Sequence, residues 1–197
     1  MTDTDAKAIS HRYLQMARDA LVWKLDGLSE YDVRRPLTPS GTNLLGLVKH
    51  LAVVELGYFG DTFGRRHDER FPWDGREQRP NEDMYATADE GREEILALYR
   101  RANAHADETI EALSLDSPGT VPWWPDDVNP VTLHWILLHM IAETNRHAGH
   151  ADIVREQLDG AIGHRVDVDN LPEVEGSWWP EYVSELEAVA RAASGGD

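Results

Sequence analysis

The sequence predicts an all-α fold: a four-helix bundle with a long crossover between helices 2 and 3 and a short C-terminal helix. Three observations carry this reading. Apolar residues recur at three- and four-residue spacing over four long stretches. No segment alternates with strand period for long, and there is no internal repeat. Proline and glycine interrupt the pattern at only a few places, which leaves one long and one medium connection in the bundle.

The first helix is expected over about 5–27. Ala6, Ile9, Tyr13, Met16, Ala20 and Trp23 or Lys24 share one face, and Gly27 can stop it. A loop bearing Pro36 and Pro39 follows. The second helix starts at Thr42 or Asn43, either of them a suitable cap, and buries Leu44, Leu47, Val48, Leu51, Val54 and Tyr58. Residues 65–86 are charged and carry Pro72, Gly75 and Pro80, so they read as the crossover or a partly ordered loop. A third helix is expected over 87–115, with Ile95, Leu98, Ala102 and Ile110 inside and Leu113 near its end. Asp116, Ser117, Pro118 and Gly119 break it, and an aromatic loop with Trp123 and Trp124 comes next. The fourth helix is expected from Asn129 or Pro130, proline being suited to a first turn, to Leu158, closed by Asp159 and Gly160. A terminal helix opens at Pro180 and Glu181 and runs to about Ala192. One domain is expected over 1–197, with the bundle core over about 5–160 and an extension over about 161–197.

Composition narrows the partners. Lys and Arg total 19 against 36 Asp and Glu, a formal charge of −17. Nucleic acid and anionic membranes both need a cationic surface, so neither is an expected partner. The absence of cysteine excludes a disulfide framework, a thiolate metal site and a thiol nucleophile. Any metal must be held by histidine and carboxylate, and any reactive thiol must come from outside. The polar, acidic start is unlike a signal peptide and no apolar run reaches spanning length, so the cytoplasm is the expected compartment.

Chemistry concentrates in 139–152, HMIAETNRHAGHAD. At about 100° per residue, His139, Glu143, His147 and His150 fall within roughly 80° of arc on one helix. Burying such groups is costly unless they are paired or bind a metal. Glu143 and His147, four residues apart, aim their donor atoms at one point. A third ligand must come from another helix, and His50, amid apolar residues with Gly46 and Gly57 near it, is the best candidate. Those glycines would leave room for a partner helix or a ligand. Two histidines and one carboxylate leave positions open for water or substrate, as catalytic zinc sites do; the set also suits ferrous iron, and imidazole suits nickel and copper. His139 is expected to orient the carboxylate, Asp152 to act as a second supporting group, and His150 to serve as a fourth ligand, a general base or a substrate contact. His11, His67, His105 and His164 have no convincing neighbourhood. Trp123 and Trp124 read first as packing residues and otherwise as an aromatic lid over the bundle end or a dimer seam.

With these residues in place, the chain resembles the DinB-like superfamily of metal-binding four-helix bundles. The resemblance runs from the first helix to about Gly160. It rests on His50 in LVKHLAVVE, on ETNRHAGH at 143–150, which looks like the HxxxHRGQ-type motif of many relatives, and on the longer block LHMIAETNRHAGHADIVREQLDG. That block looks like a branch of largely unknown function. Two departures stand out: Glu143 replaces the first histidine of the common set, and His150 replaces the glutamine. Glu143 makes the pattern similar to the mycothiol-dependent maleylpyruvate isomerase relatives, with their two-His-one-Glu zinc site.

This resemblance implies a divalent metal, zinc foremost and nickel or iron next, on His50, Glu143 and His147. It also implies a low-molecular-weight thiol cosubstrate such as mycothiol. Metal coordination deprotonates a thiol, and the thiolate attacks an electrophile or adds to a double bond, so the expected activity is S-transfer or isomerisation with His150 as general base. Relatives often pair as homodimers. Two alternatives stand beside this: a non-catalytic metal-binding stress or sensor bundle, and a metal-free structural dimer module.

Overall fold

A computed structural model describes residues 3–195; the outermost residues of the expected 1–197 domain lie outside the described residues. Six α-helices are described: α1 Asp3–Val22, α2 Glu30–Arg34, α3 Leu44–Glu55, α4 Arg92–Ala112, α5 Leu133–Asp159 and α6 Trp178–Ser194. Four of them, α1, α3, α4 and α5, form the bundle. α1 packs along α5, α3 along α4, and α3 also meets α5. Their apolar stripes close two adjoining core clusters, one around Leu21, Leu44, Leu51 and Tyr99, the other around Leu14, Phe59, Ile136 and Met140. Among the described residues no helix is long and apolar enough to cross a membrane.

The long helices fall where the periodicity puts them, and the departures are at their ends. Asn43 begins α3 by accepting the Gly46 N–H at 2.8 Å. Beyond Glu55 the helix widens into a π turn, Leu56–Gly60, and then tightens into a 3-10 turn, Asp61–Phe63, which Gly64 ends at φ 65°. α4 starts at Arg92 rather than 87. The Glu90 carboxylate accepts the Thr87 N–H at 2.7 Å and Lys49 Nζ at 2.8 Å, which holds that stretch as a turn against α3. α5 starts at Leu133, where Thr132 Oγ1 accepts the Trp135 N–H at 3.3 Å. Pro130 therefore lies ahead of the helix, in a cis bond with Asn129, and leads into β2, Val131–Thr132. β2 pairs antiparallel with β1, Pro118–Gly119, a two-residue ladder too short to show as alternation. Helix α2 occupies part of the proline-bearing loop, capped by Ser29 Oγ on the Asp32 N–H at 3.1 Å. None of the residues of α6 is buried.

The crossover is an ordered layer on α3. Lys49, buried in the bundle wall, binds Glu90 and the Tyr85 carbonyl, and Asn43 Nδ2 donates to the Met84 carbonyl at 3.1 Å. Gly46 is what lets this layer close. A Cβ added there would stand 1.8 Å from the Met84 carbonyl oxygen, inside any allowed contact. The space at Gly46 is thus filled by the crossover's own backbone rather than by a helix or a ligand. Gly46→Ala is expected to cost about 1–3 kcal/mol, as overpacking does, read from the urea unfolding midpoint. An unchanged midpoint would mean that the crossover is not seated on α3.

Candidate metal centre

α3 and α5 bring His50, Glu143 and His147 together. One donor atom from each lies within 4.8 Å of the others. Glu143 Oε1 stands 3.0 Å from His147 Nε2 and 3.6 Å from His50 Nε2. The two imidazoles meet edge to face, 4.9 Å between centroids. His147 is buried, while His50 and Glu143 are half-buried and open onto a cavity.

The donor set fits a divalent ion on its own geometry. Bonds of about 2.1 Å in a tetrahedral site put ligand atoms about 3.4 Å apart, and the two distances to Glu143 bracket that figure. His50 donates through Nδ1 to Asp83 Oδ2 at 2.6 Å, which fixes its tautomer and leaves the Nε2 lone pair facing Glu143. That hydrogen bond holds the Asp83 carboxyl below the usual carboxylate range, as an ionised acceptor. Glu143 is also held low: burial opposes its charge, but the two imidazoles outweigh burial. Burial, reinforced by His50, pushes His147 down, so its neutral form is the favoured one. An ionised Glu143 and a neutral His147 are protonation states that ligation requires.

The supporting residues are placed differently from the sequence expectation. Asp152 is not brought to the site: it pairs with the buried Lys24 and accepts the Gly163 N–H at 3.3 Å. Nine residues after Glu143 it lies about 180° round the helix, on the far side. His150 is exposed and touches the back of His147, with 3.4 Å between the two Nδ1 atoms. It shares the arc of Glu143 but sits about 10 Å further along the axis, and it does not line the cavity. His139 does line the cavity, its ring against Tyr58 at 4.6 Å and Trp124 at 5.2 Å. Burial lowers its proton affinity, only partly offset by Glu143.

Sequence reasoning missed Asp83, because the crossover has no period that would place it over His50. It also passed over His67, which lines the cavity. The cavity, about 980 Å³, lies between the π turn of α3, the crossover and the 120–130 connection. Its walls include Phe71, Trp73, Tyr58 and Trp123. Trp123 lies over Gly57, where an added Cβ would meet its ring at 2.8 Å, so the aromatic loop does cover this end of the bundle. Trp124 Nε1 donates to the Tyr58 hydroxyl at 3.2 Å and holds the loop there.

The profile of the family described as mycothiol S-transferase matches residues 10–160. The chain belongs to the mycothiol S-transferase family. The match takes in the bundle from within α1 to the end of α5, including both helices that carry His50, Glu143 and His147 and both connections that wall the cavity, and it is consistent with the DinB-like resemblance. No curated protein matches the sequence.

Proposed function

We propose that this protein is a metal-dependent S-transferase that joins the sulfur of mycothiol to a small electrophile. The observation that carries the reading is the convergence of His50, Glu143 and His147 at the edge of a cavity of about 980 Å³, in a chain of the mycothiol S-transferase family. That volume is at the upper end for small-molecule sites, enough for a thiol and a second reactant side by side.

His50, Glu143 and His147 would hold the ion, zinc by preference, with nickel or iron also suited to the donors. When bound, the ion supplies a Lewis acid that lowers the pKa of a thiol. The protein's own part follows from the geometry. Asp83 keeps His50 in the ligating tautomer, and His150 steadies His147 from behind. His139 lines the cavity one turn from Glu143 and is favoured neutral, so it takes the role of proton acceptor expected of His150. A carbon–sulfur bond forms, the leaving group departs with its electron pair, and the thiol proton passes to His139.

A thiol kept reduced suits the cytoplasm. A homodimer is the proposed assembly, supported by Trp135, Leu138 and Ile153, exposed on one stripe of α5. The deciding experiment uses protein purified without an affinity tag. Metal content is measured first, then consumption of mycothiol with chlorodinitrobenzene or monochlorobimane, before and after chelation. Metal-dependent thiol consumption is expected. Bound metal without consumption of any thiol in a panel would turn the reading to a sensor, and absence of metal to a structural module.

A further inference from the structure

The last helix has an apolar face that its own bundle leaves in water. In α6, Trp178, Tyr182, Leu186, Val189 and Ala193 fall within about 80° of arc, and none of the helix's residues is buried. Trp178 stacks on Tyr182, with planes 15° apart and centroids at 4.7 Å. Helices in proteins draw most of their stability from packing such a face, so a solitary amphipathic helix of 17 residues calls for a cover. A membrane is a poor one. Interfacial helices carry Lys and Arg on the polar face, whereas α6 has Arg191 against Glu181, Glu185 and Glu187, in a chain of net charge −17.

A second bare face matches it. Trp135, Leu138, Ala142, Gly149 and Ile153 are all exposed and fall within about 60° of arc on the outer side of α5. On α1, Ile9 and Tyr13 are exposed as well, each about 160° from His11, which reaches Asp107 of α4. They therefore lie on the flank of α1 away from α4, where α5 is the neighbour. From Leu138 to Ile153, and from Trp178 to Ala193, the two stripes each run about 22 Å. Gly149 marks a close approach. It sits mid-helix, where glycine costs up to about 1 kcal/mol, yet a Cβ there would meet nothing within 4 Å. Nothing within the chain asks for glycine at that point, whereas a helix laid across it does.

We propose that α6 is an exchanged arm: in a dimer, α6 of each copy lies along the α1–α5 face of the other. Within one chain the two faces stay apart. Trp23 Nε1 donates to the His164 carbonyl at 3.2 Å and straps the tail to the bundle end, and α6 beyond it buries nothing. Trp178, Tyr182, Val183, Leu186 and Val189 keep 38–61% of their surface in water, and Ile9, Tyr13, Trp135, Leu138 and Ile153 keep 47–60%. Covering both sets removes about 1,000 Å² per contact, and two contacts related by a two-fold axis come to about 2,000 Å², the size of a stable dimer interface. The family match ends at residue 160, so the arm belongs to the extension beyond it. The proposal rests on the homodimer named above and not on the S-transferase reading.

The test uses the full chain and two readouts. Equilibrium sedimentation is expected to give a dimer whose dissociation constant rises about 100-fold in Leu186→Asp/Val189→Asp and likewise in Leu138→Asp, with thermal melting and metal content unchanged. The chain has no cysteine, so thiols can be placed singly. A mixture of the Gly149→Cys and Glu185→Cys variants, treated with a short bismaleimide, is expected to give a covalent heterodimer joined between those two positions. A dimer of unchanged affinity in Leu186→Asp/Val189→Asp overturns the arm and leaves the homodimer standing. A monomeric wild type overturns both. In that case a link closed within one chain of Gly149→Cys/Glu185→Cys sends α6 to its own bundle, and co-flotation with neutral phospholipid vesicles sends it to a membrane. Thiol consumption enters none of these readouts, so a failed S-transfer assay is told apart from a failed arm.

Discussion

Removing one ligand is expected to empty the metal centre. His147→Ala, His50→Ala or Glu143→Ala should each lower bound metal to trace levels and abolish metal-dependent thiol consumption, measured by elemental analysis and activity on the same samples. Two remaining ligands leave the ion mostly to water, and the loss should far exceed that from the supporting shell. Asp83→Asn keeps the shape beside His50 but weakens the hydrogen bond that fixes its ring; a loss of about 10–100-fold in metal affinity is expected. Metal retained at wild-type level in His147→Ala would remove the cluster from consideration. Acid should empty the site too. His147 has an ordinary value of 6.5 and lies below it in the fold, so ligation should persist to somewhat below that pH and then fail as the imidazole takes a proton. The same direction governs the metal-free protein. The unfolded chain binds the His147 proton more readily than the folded one, and likewise that of Glu143, so stability is lost as pH falls from the unfolded values through the folded ones.

The second large effect lies away from the cavity. Arg18 in α1 is buried and holds Glu55 of α3 through two hydrogen bonds, 2.7 and 2.6 Å, and Asp107 of α4 at 2.7 Å. Burial alone would disfavour the charge on Arg18, but the two carboxylates reverse this and raise its proton affinity. Burial pushes the Glu55 carboxyl up, and Arg18 pulls against it. Arg18→Met strands Glu55 in the core and is expected to cost about 3–5 kcal/mol in urea unfolding. Arg18→Met/Glu55→Leu should regain much of that, because a buried pair replaced by apolar residues is often nearly neutral. A double variant as unstable as the single one would show that packing, not the stranded charge, sets the loss.

The helices and the convergence of His50, Glu143 and His147 were legible because both depend on the same repeat. Leu44 to Tyr58 and the 139–152 stretch announce their buried faces, and an i, i+4 spacing fixes where Glu143 and His147 point. Angle alone is a weak guide to reach. His150 has the right angle and the wrong height, and Asp152 has the wrong angle. The start of α4 was hidden because Glu90, which reads as helical, is held by Lys49 from another helix. Asp83 was hidden for a related reason: its partner is 33 residues away, and nothing local marks it.

His50, Glu143 and His147 stand on helices, whereas Arg66, Arg70, Phe71, Trp73 and Trp123 stand on connections. Core packing constrains the first group at every neighbour. The second group is bounded mainly by a few anchoring contacts, such as those of Met84 and Trp124. Substitutions in the connections can therefore change what the cavity accepts while the bundle keeps His50, Glu143 and His147 together. On the proposed reading, a library confined to 65–78 and 120–125 is expected to retain metal in most members and to diverge in what the cavity binds.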